Sequence, residues 1–388
     1  MAACRAGLIA IVCAGWLAGC GGGNGGGGGN DGGEYRAGED GGAAVDVVPG
    51  AVPMVSLVPD NLGDGWQVSI PEAQSVNGAE LKRRLEELLT SGSGGMDGIV
   101  IVRNDRLVAE AYFNGYARDT QHDMRSVTKS FTASLAGIAI EQGLMSLDDT
   151  LAQHIARFAE FDNVDDRKRS IRVANVLNMQ TGLDCDDGRD SSPGNETYMY
   201  RRDDWIKYIL SVPMQADPGT LTSYCSGAVT VLGSIIASRA GQKLEEFAER
   251  NLLNPLNMAS VRWLHSPLGV TNASSAIQLR PRDAAKFGTL FLNGGRWYGT
   301  QVVPEAWVER SAQRLTAIRG EGYGWLWWKG YYSVRGNVQS GMYASGNGGN
   351  YIFVLPSERL VVVITASNYN RNGPSYGFFR DSILPTIQ

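Results

Sequence analysis

Residues 128–140, T-K-S-F-T-A-S-L-A-G-I-A-I, read as a helix that is small or apolar on every face. Phe131, Ala133, Leu135, Ala136, Ile138, Ala139 and Ile140 leave no stripe for water, and a helix apolar all round is a buried one. The chain must therefore wrap this segment in other elements. Gly143, in E-Q-G-L, is its stop signal. The one cation in this stretch, Lys129, stands at its head. An ammonium withdrawn from water is costly unless it is paired or gives up its proton. Residues at i and i+3 share a helix face, so Ser126 and Lys129 lie side by side, a turn apart.

That pairing has a chemical use. A serine hydroxyl is a weak nucleophile until a neighbouring base takes its proton, and a buried lysine can be that base. The helix N-terminus adds backbone N–H groups suited to a developing oxyanion. The same four residues also fit a lysine that snorkels to the surface beside an N-capping serine, so the pair needs partners.

The chain has 388 residues, 43% of them hydrophobic, enough for one large domain or two intimately packed ones. A net charge of -5, with no basic cluster, argues against a nucleic-acid partner. Arg5 is followed by a short apolar run, a signal-peptide pattern over residues 1–19 that is too short to span a bilayer comfortably. The run ends in L-A-G-C, which resembles the lipobox of bacterial lipoproteins; that resemblance makes Cys20 the lipidated first residue of the mature chain. The glycine-rich stretch from Gly21, within residues 20–50, reads as a flexible tether. With Gly21 after the cysteine, known sorting patterns imply the outer membrane of a Gram-negative cell, periplasmic side. Among the cysteines that remain, Cys185 and Cys225 are candidates for a disulfide or for two buried thiols.

Along the body, A-E-L-K-R-R-L-E-E-L-L-T predicts an amphipathic helix with Leu81, Leu85, Leu88 and Leu89 on one stripe. G-I-V-I-V-R and L-V-A-E-A-Y-F predict two strands joined by a turn around Asn104. Residues from about 146 to 319 are mainly helical patterns. Y-G-W-L-W-W-K, N-Y-I-F-V-L-P and R-L-V-V-V-I-T-A-S-N return to strands. The expectation is an α+β fold: one antiparallel sheet built from both termini of a domain spanning 77–388, flanked by helices, with a helical region inserted.

Two further stretches look like site loops. T-S-Y-C-S-G carries Tyr224 just before a buried-looking helix, and Y-A-S-G-N-G-G-N brings a glycine-rich turn to an apolar strand. Each alone fits a core tyrosine or a plain hairpin. Together with S-V-T-K, in this order and spacing, they resemble the class C β-lactamase-like family, which includes family VIII carboxylesterases, D-amino-acid peptidases and nylon-oligomer hydrolases; S-x-x-K is also the penicillin-binding-protein motif. R-P-R-D-A-A-K-F-G-T-L-F-L-N-G-G-R-W and G-Y-G-W-L-W-W are similar to that family's connecting segments, and the likeness covers roughly residues 77 to 385.

The resemblance implies a β-lactamase/transpeptidase-like fold and an acyl-enzyme mechanism. Ser126 would be the nucleophile, Lys129 its base and Tyr224 the second proton carrier. The backbone N–H groups of Ser126 and Asn347 would hold the oxyanion. Ser345 and Gly346 of the third motif, and Ser226 of the second, would line the substrate. The chain departs from the pattern twice. Ser226 stands where Y-x-N has asparagine, and Ala344 stands where K-T-G or H-T-G has a base. A missing base weakens the case for binding the carboxylate of a β-lactam or peptide, so a small ester or amide is the expected substrate. A D,D-peptidase or β-lactamase-type hydrolase and a catalytically dead scaffold are the alternatives; an α/β-hydrolase is disfavoured because no G-x-S-x-G occurs. No cofactor is expected, and His122, His154 and His265 show no metal-ligand spacing. His122 is near enough to the nucleophile in sequence to line the pocket, although a loop histidine fits it better. The acidic segment 182–200 lacks EF-hand spacing and reads as a border of the site mouth, which a Cys185–Cys225 bridge would pin to the Tyr224 loop.

Overall fold

A computed structural model describes residues 51–258 and 261–388. The signal pattern at 1–19, Cys20 and the tether at 20–50 lie outside the described residues. The centre is a ten-stranded sheet. Its main path uses Met54–Ser56 (β1), Met96–Arg103 (β2), Arg106–Tyr112 (β3), Thr316–Ile318 (β4), Glu321–Gly324 (β5), Trp327–Val334 (β6), Asn337–Gly346 (β7), Asn350–Leu355 (β8) and Leu360–Ala366 (β9). Across the sheet the order is β1-β3-β2-β9-β8-β7-β6-β5-β4, antiparallel throughout, and Gln67–Val68 adds a short parallel pairing to β3. The N- and C-terminal halves join at the centre, where Ile364 of β9 pairs Ile99 of β2 and Leu360 pairs Arg103. The α+β expectation of one antiparallel sheet from both termini holds. The sheet also starts earlier than residue 77, because Met54 pairs Tyr112.

β2 and β9 are buried at every position, with apolar runs at 99–102 and 360–364, because helices cover both faces of the sheet. Val100, Val102 and Val363 face one core with Phe131 and Phe287, while Ile99, Ile101 and Val362 face a second with Leu81, Leu85 and Phe379. This period of two along the strands makes three layers. On the second face lies α1 (Gly78–Ser91), whose N-cap Asn77 accepts the Glu80 N–H at 3.1 Å. Its stripe is narrower than the sequence implied. Leu81 and Leu85 are buried, but Leu89 is 44% exposed because the helix has turned it past the sheet.

On the first face lie α2 (Thr128–Glu141) and α4 (Pro281–Leu292), with α3 (Ser226–Ala240) packed beyond α2. α2 is buried from Thr128 to Ala139 and ends before Gly143, whose φ is +70°. Phe131 stacks on Phe287 of α4 at 3.7 Å between ring centres. A β-carbon on Gly288 would lie 2.6 Å from Val361 and 2.8 Å from Ile352, so α4 sits directly on the sheet. The region 146–319 supplies the inserted helices that the sequence implied. Its helix α4 belongs to the sheet, and much of the rest is short helices such as Leu151–His154 and Trp205–Leu210.

The hairpin at Asn104 has φ of +52° there and +61° at Asp105, the left-handed pair that a two-residue turn needs. The single strand expected over Y-G-W-L-W-W-K is two strands. Trp325 and Leu326 turn the chain, with φ of +46° and +63°. Bulky residues rarely sit there, and their strain is opposed by burial. Leu326 donates its N–H to Leu177 at 3.1 Å and accepts Ser130 Oγ at 2.8 Å, while Trp325 packs on Trp307.

Candidate active site

Ser126 sits in a short 3-10 turn, Arg125–Val127, that leads directly into α2. Arg125 has φ of +49°, a conformation that costs a side-chain-bearing residue about 1–3 kcal/mol. Several contacts hold it. Its N–H donates to Asp123 Oδ1 at 2.9 Å, its guanidinium pairs with Asp123 Oδ2 at 3.0 Å, and its charge lies 4.5 Å from the centre of the Tyr369 ring. Thr128 Oγ1 donates to the Arg125 carbonyl at 2.6 Å and accepts the Ile277 N–H at 3.0 Å. The turn is therefore fixed on both sides of the serine, which stays partly exposed at the head of a buried helix.

Lys129 is 1% exposed. Its Nζ lies 2.9 Å from Ser126 Oγ and donates to the Ser274 carbonyl at 2.9 Å. Ser274 comes from the segment before α4, held by Asn272, which accepts the Ser274 N–H at 3.2 Å and its hydroxyl at 3.0 Å. The Tyr224 ring centre is 4.8 Å from Lys129 Nζ, and Tyr224 rests against Trp328 at 6.0 Å. An amine so placed can exchange a proton with the Ser126 hydroxyl, and the lysine does not snorkel.

The third motif closes the site. β7 ends at Gly346, where a β-carbon would meet the Met124 carbonyl at 2.2 Å and the Arg125 side chain at 3.1 Å, so only glycine lets the strand come this near the Ser126 turn. Ser345 pairs across the strands with Tyr351 and is partly exposed. Asn347 follows; its side chain bonds Asn370, donating to Oδ1 at 2.7 Å and accepting the Asn370 N–H at 2.8 Å.

Ser226 departs from its expected place. It is fully buried as the first residue of α3, so its hydroxyl does not line an open cleft. Its N–H instead donates to Asp187 Oδ2 at 2.7 Å. His122 is also buried, locked by Asp97 Oδ2 at 2.9 Å, and does not line an open pocket. Cys185 and Cys225 are bonded to each other. Ser223 Oγ donates to the Cys185 carbonyl at 2.7 Å, and the Asp187 N–H donates to the Tyr224 carbonyl at 2.9 Å, so the acidic segment is stitched to the Tyr224 loop. Burial, and then the charge of Glu196, push the Asp187 carboxyl up to about 7, against the pull of Lys129 and of the Ser226 hydroxyl and N–H.

Asp123, Ser274 and Asp187 were not singled out from the sequence. Asp123 had a signal, a carboxylate two residues before an arginine at a turn. Ser274 acts through its carbonyl, which any residue carries. Among the described residues no group of three or more His, Cys, Asp or Glu is placed to hold a metal ion, and no helix is long and apolar enough to cross a membrane. A surface cavity of about 500 Å³ beside the Asn104 hairpin, lined by Arg106, Trp297 and Tyr298, does not include Ser126, Lys129 or Tyr224.

With this geometry in place, the family profile described as Beta-lactamase matches residues 81–378. The chain belongs to the beta-lactamase family. Among its relatives is the 6-aminohexanoate-dimer hydrolase of Paenarthrobacter ureafaciens, 25% identical over 308 residues, 74% of this chain and 75% of that protein. A solved family VIII carboxylesterase superposes with a TM-score of 0.63 at 15% identity, over 82% of this chain and 98% of that one. The octameric penicillin-binding protein homologue from Pyrococcus abyssi superposes at 0.59 with 21% identity, over 77% and 75% of the two chains. The family is one of hydrolases, and the sheet with its flanking helices is the fold these structures share.

Proposed function

We propose that this family member is a serine hydrolase that forms an acyl-enzyme on Ser126 and acts on a small ester or amide. The observation that carries the reading is the 2.9 Å contact between Lys129 Nζ and Ser126 Oγ at a buried helix head. Lys129 takes the serine proton as Oγ bonds the carbonyl carbon. The oxyanion is held by the N–H groups of Ser126 and Asn347, each donor contributing a few kcal/mol in the transition state. Tyr224, beside the lysine, passes the proton to the leaving group and later activates the water that releases the acid. Ala344 offers no charge to a substrate carboxylate, which favours esters and amides over β-lactams and peptides. We place the enzyme at a membrane surface through lipid on Cys20, on the lipobox pattern alone.

Turnover of short-chain p-nitrophenyl esters, p-nitroanilides and a chromogenic β-lactam tests the reading. The expected order is ester, then amide, with the β-lactam slowest. Turnover of the β-lactam alone moves the assignment to the β-lactamase alternative, and silence on all three removes it.

A further inference from the structure

The acidic segment between the first two motifs contributes one carboxylate that the mechanism above does not use. Asp187 touches the second motif on both sides of its disulfide-bonded cysteine. Its N–H donates to the Tyr224 carbonyl at 2.9 Å, and its Oδ2 accepts the Ser226 N–H at 2.7 Å. Its Oδ1 accepts the Glu196 N–H at 2.9 Å, which turns the short helix Glu196–Tyr200 toward the same point. The Ser226 N–H is the first of α3, where the helix dipole favours a negative group. The Cys185–Cys225 bond runs beside this clamp. The charged groups facing the Asp187 carboxylate are Glu196 from the short helix and Lys129 from α2, with the Ser226 hydroxyl and N–H from α3. Arg319 lies against the adjacent Gly188.

A carboxylate in this place answers a need of the lysine. Lys129 has a hydroxyl and a carbonyl within hydrogen-bond reach, and no carboxylate among its bonded partners. When it takes the Ser126 proton it becomes a buried ammonium, which is costly without a nearby negative charge.

We propose that Asp187 is a positioning residue for the hydrolase reaction: it holds Tyr224 beside Lys129 through the head of α3 and supplies the negative charge that the Lys129 ammonium needs. The inference rests on the serine-hydrolase reading. No bond to substrate is assigned to Asp187, and the proton it binds at low pH comes from solvent. Protonation removes its charge and weakens the Ser226 N–H bond, so activity falls on the acid side. Because burial and Glu196 hold the carboxyl up near 7, that acid limb lies near neutrality instead of in the ordinary carboxylate range.

The test is the pH dependence of kcat and KM for p-nitrophenyl acetate in the full chain, for wild type, Asp187→Asn, Asp187→Glu, Glu196→Gln and Ser126→Ala, with thermal melts alongside. Asparagine keeps an acceptor for the Ser226 N–H and loses the charge. Expected for Asp187→Asn are a roughly tenfold lower kcat at pH 8, KM within about twofold of wild type, and loss of the limb near pH 7, with partial recovery in Asp187→Glu. Glu196→Gln removes the charge that raises the carboxyl and moves the limb to lower pH at unchanged plateau activity. Wild-type kcat and an unmoved limb in Asp187→Asn overturn the inference. If that variant melts as an unfolded chain, Glu196→Gln decides: a shifted limb supports the role and an unmoved one overturns it. Ser126→Ala separates the two levels. Full activity there sinks the hydrolase reading itself, whereas its loss beside a normal Asp187→Asn removes only Asp187.

Discussion

Of the four lysines buried among the described residues, Lys129 and Lys329 make the sharpest contrast. Lys129 heads α2, and Lys329 lies in β6 beside Trp328, which packs on Tyr224. Each donates to a backbone carbonyl, Lys129 to Ser274 and Lys329 to Ser311. Lys129 also meets the Ser126 hydroxyl, the Tyr224 face and the field of Asp187. For Lys329 burial alone lowers the pKa, from the ordinary 10.5 to about 7. At Lys329 burial therefore makes an amine that readily gives up its proton, whereas at Lys129 the hydroxyl and the ring beside the amine give it a chemical use. Lys329 is the internal control: a desolvated base whose hydrogen-bond partner among the described residues is a carbonyl, which has no proton to give.

The largest effect that sharpens this contrast is on activity at the first lysine. Lys129→Ala and Ser126→Ala each lower ester turnover by roughly 10³-fold or more, with double replacement no worse than either alone, as for groups acting as one unit. Steady-state kinetics of the three variants checks it. Next comes the bridge that ties the acidic segment to the Tyr224 loop. Cys225→Ala is expected to lower kcat about tenfold by loosening that loop, and to cost about 2–4 kcal/mol in denaturant unfolding. Unchanged kinetics in Cys225→Ala would count against the stitched loop.

At Lys329 the expected effect is on stability. Folding holds this amine neutral where the unfolded chain binds a proton, so its contribution falls as pH drops from 10.5 toward 7 and is flat below. Lys329→Met is expected to gain roughly 1–3 kcal/mol at pH 7, with an advantage that shrinks toward pH 10 and turnover within about twofold of wild type. Urea melts at the two pH values measure it. A large loss of turnover would erase the distinction between the lysines. The smallest effect is at the link between the two regions. Ser130, one residue after Lys129, donates to the Leu326 carbonyl just ahead of β6, and Ser130→Ala should cost about 1 kcal/mol.

The sequence makes the first lysine legible because its serine is three residues away on the same helix, and the apolar run announces burial. The strand pair joined at Asn104 is legible for a similar reason: the turn residues and the runs beside them are local. What sequence pattern does not carry is the company that arrives from a distance. Ser274 gives a carbonyl from 145 residues along the chain, which no side-chain pattern marks. Asp187 is one of several acids in a polar segment until the fold sets its carboxylate on the head of α3. Trp325 and Leu326 read as strand, and the turn they make follows from contacts with Leu177, Ser130 and Trp307. Ser226 matches a motif position, yet the helix it begins buries it. The Ala344 and Gly346 positions were readable, but that Gly346 lies against Met124 needs the sheet.

The most direct test of the central claim is covalent labelling with a fluorophosphonate probe, read by intact mass and peptide mapping. We expect one label, on Ser126, at similar rates in wild type and Lys329→Met, and a rate at least about a hundredfold lower in Lys129→Ala. A label on another residue, or equal labelling in Lys129→Ala, would contradict the account that Lys129 is the base and Ser126 the nucleophile.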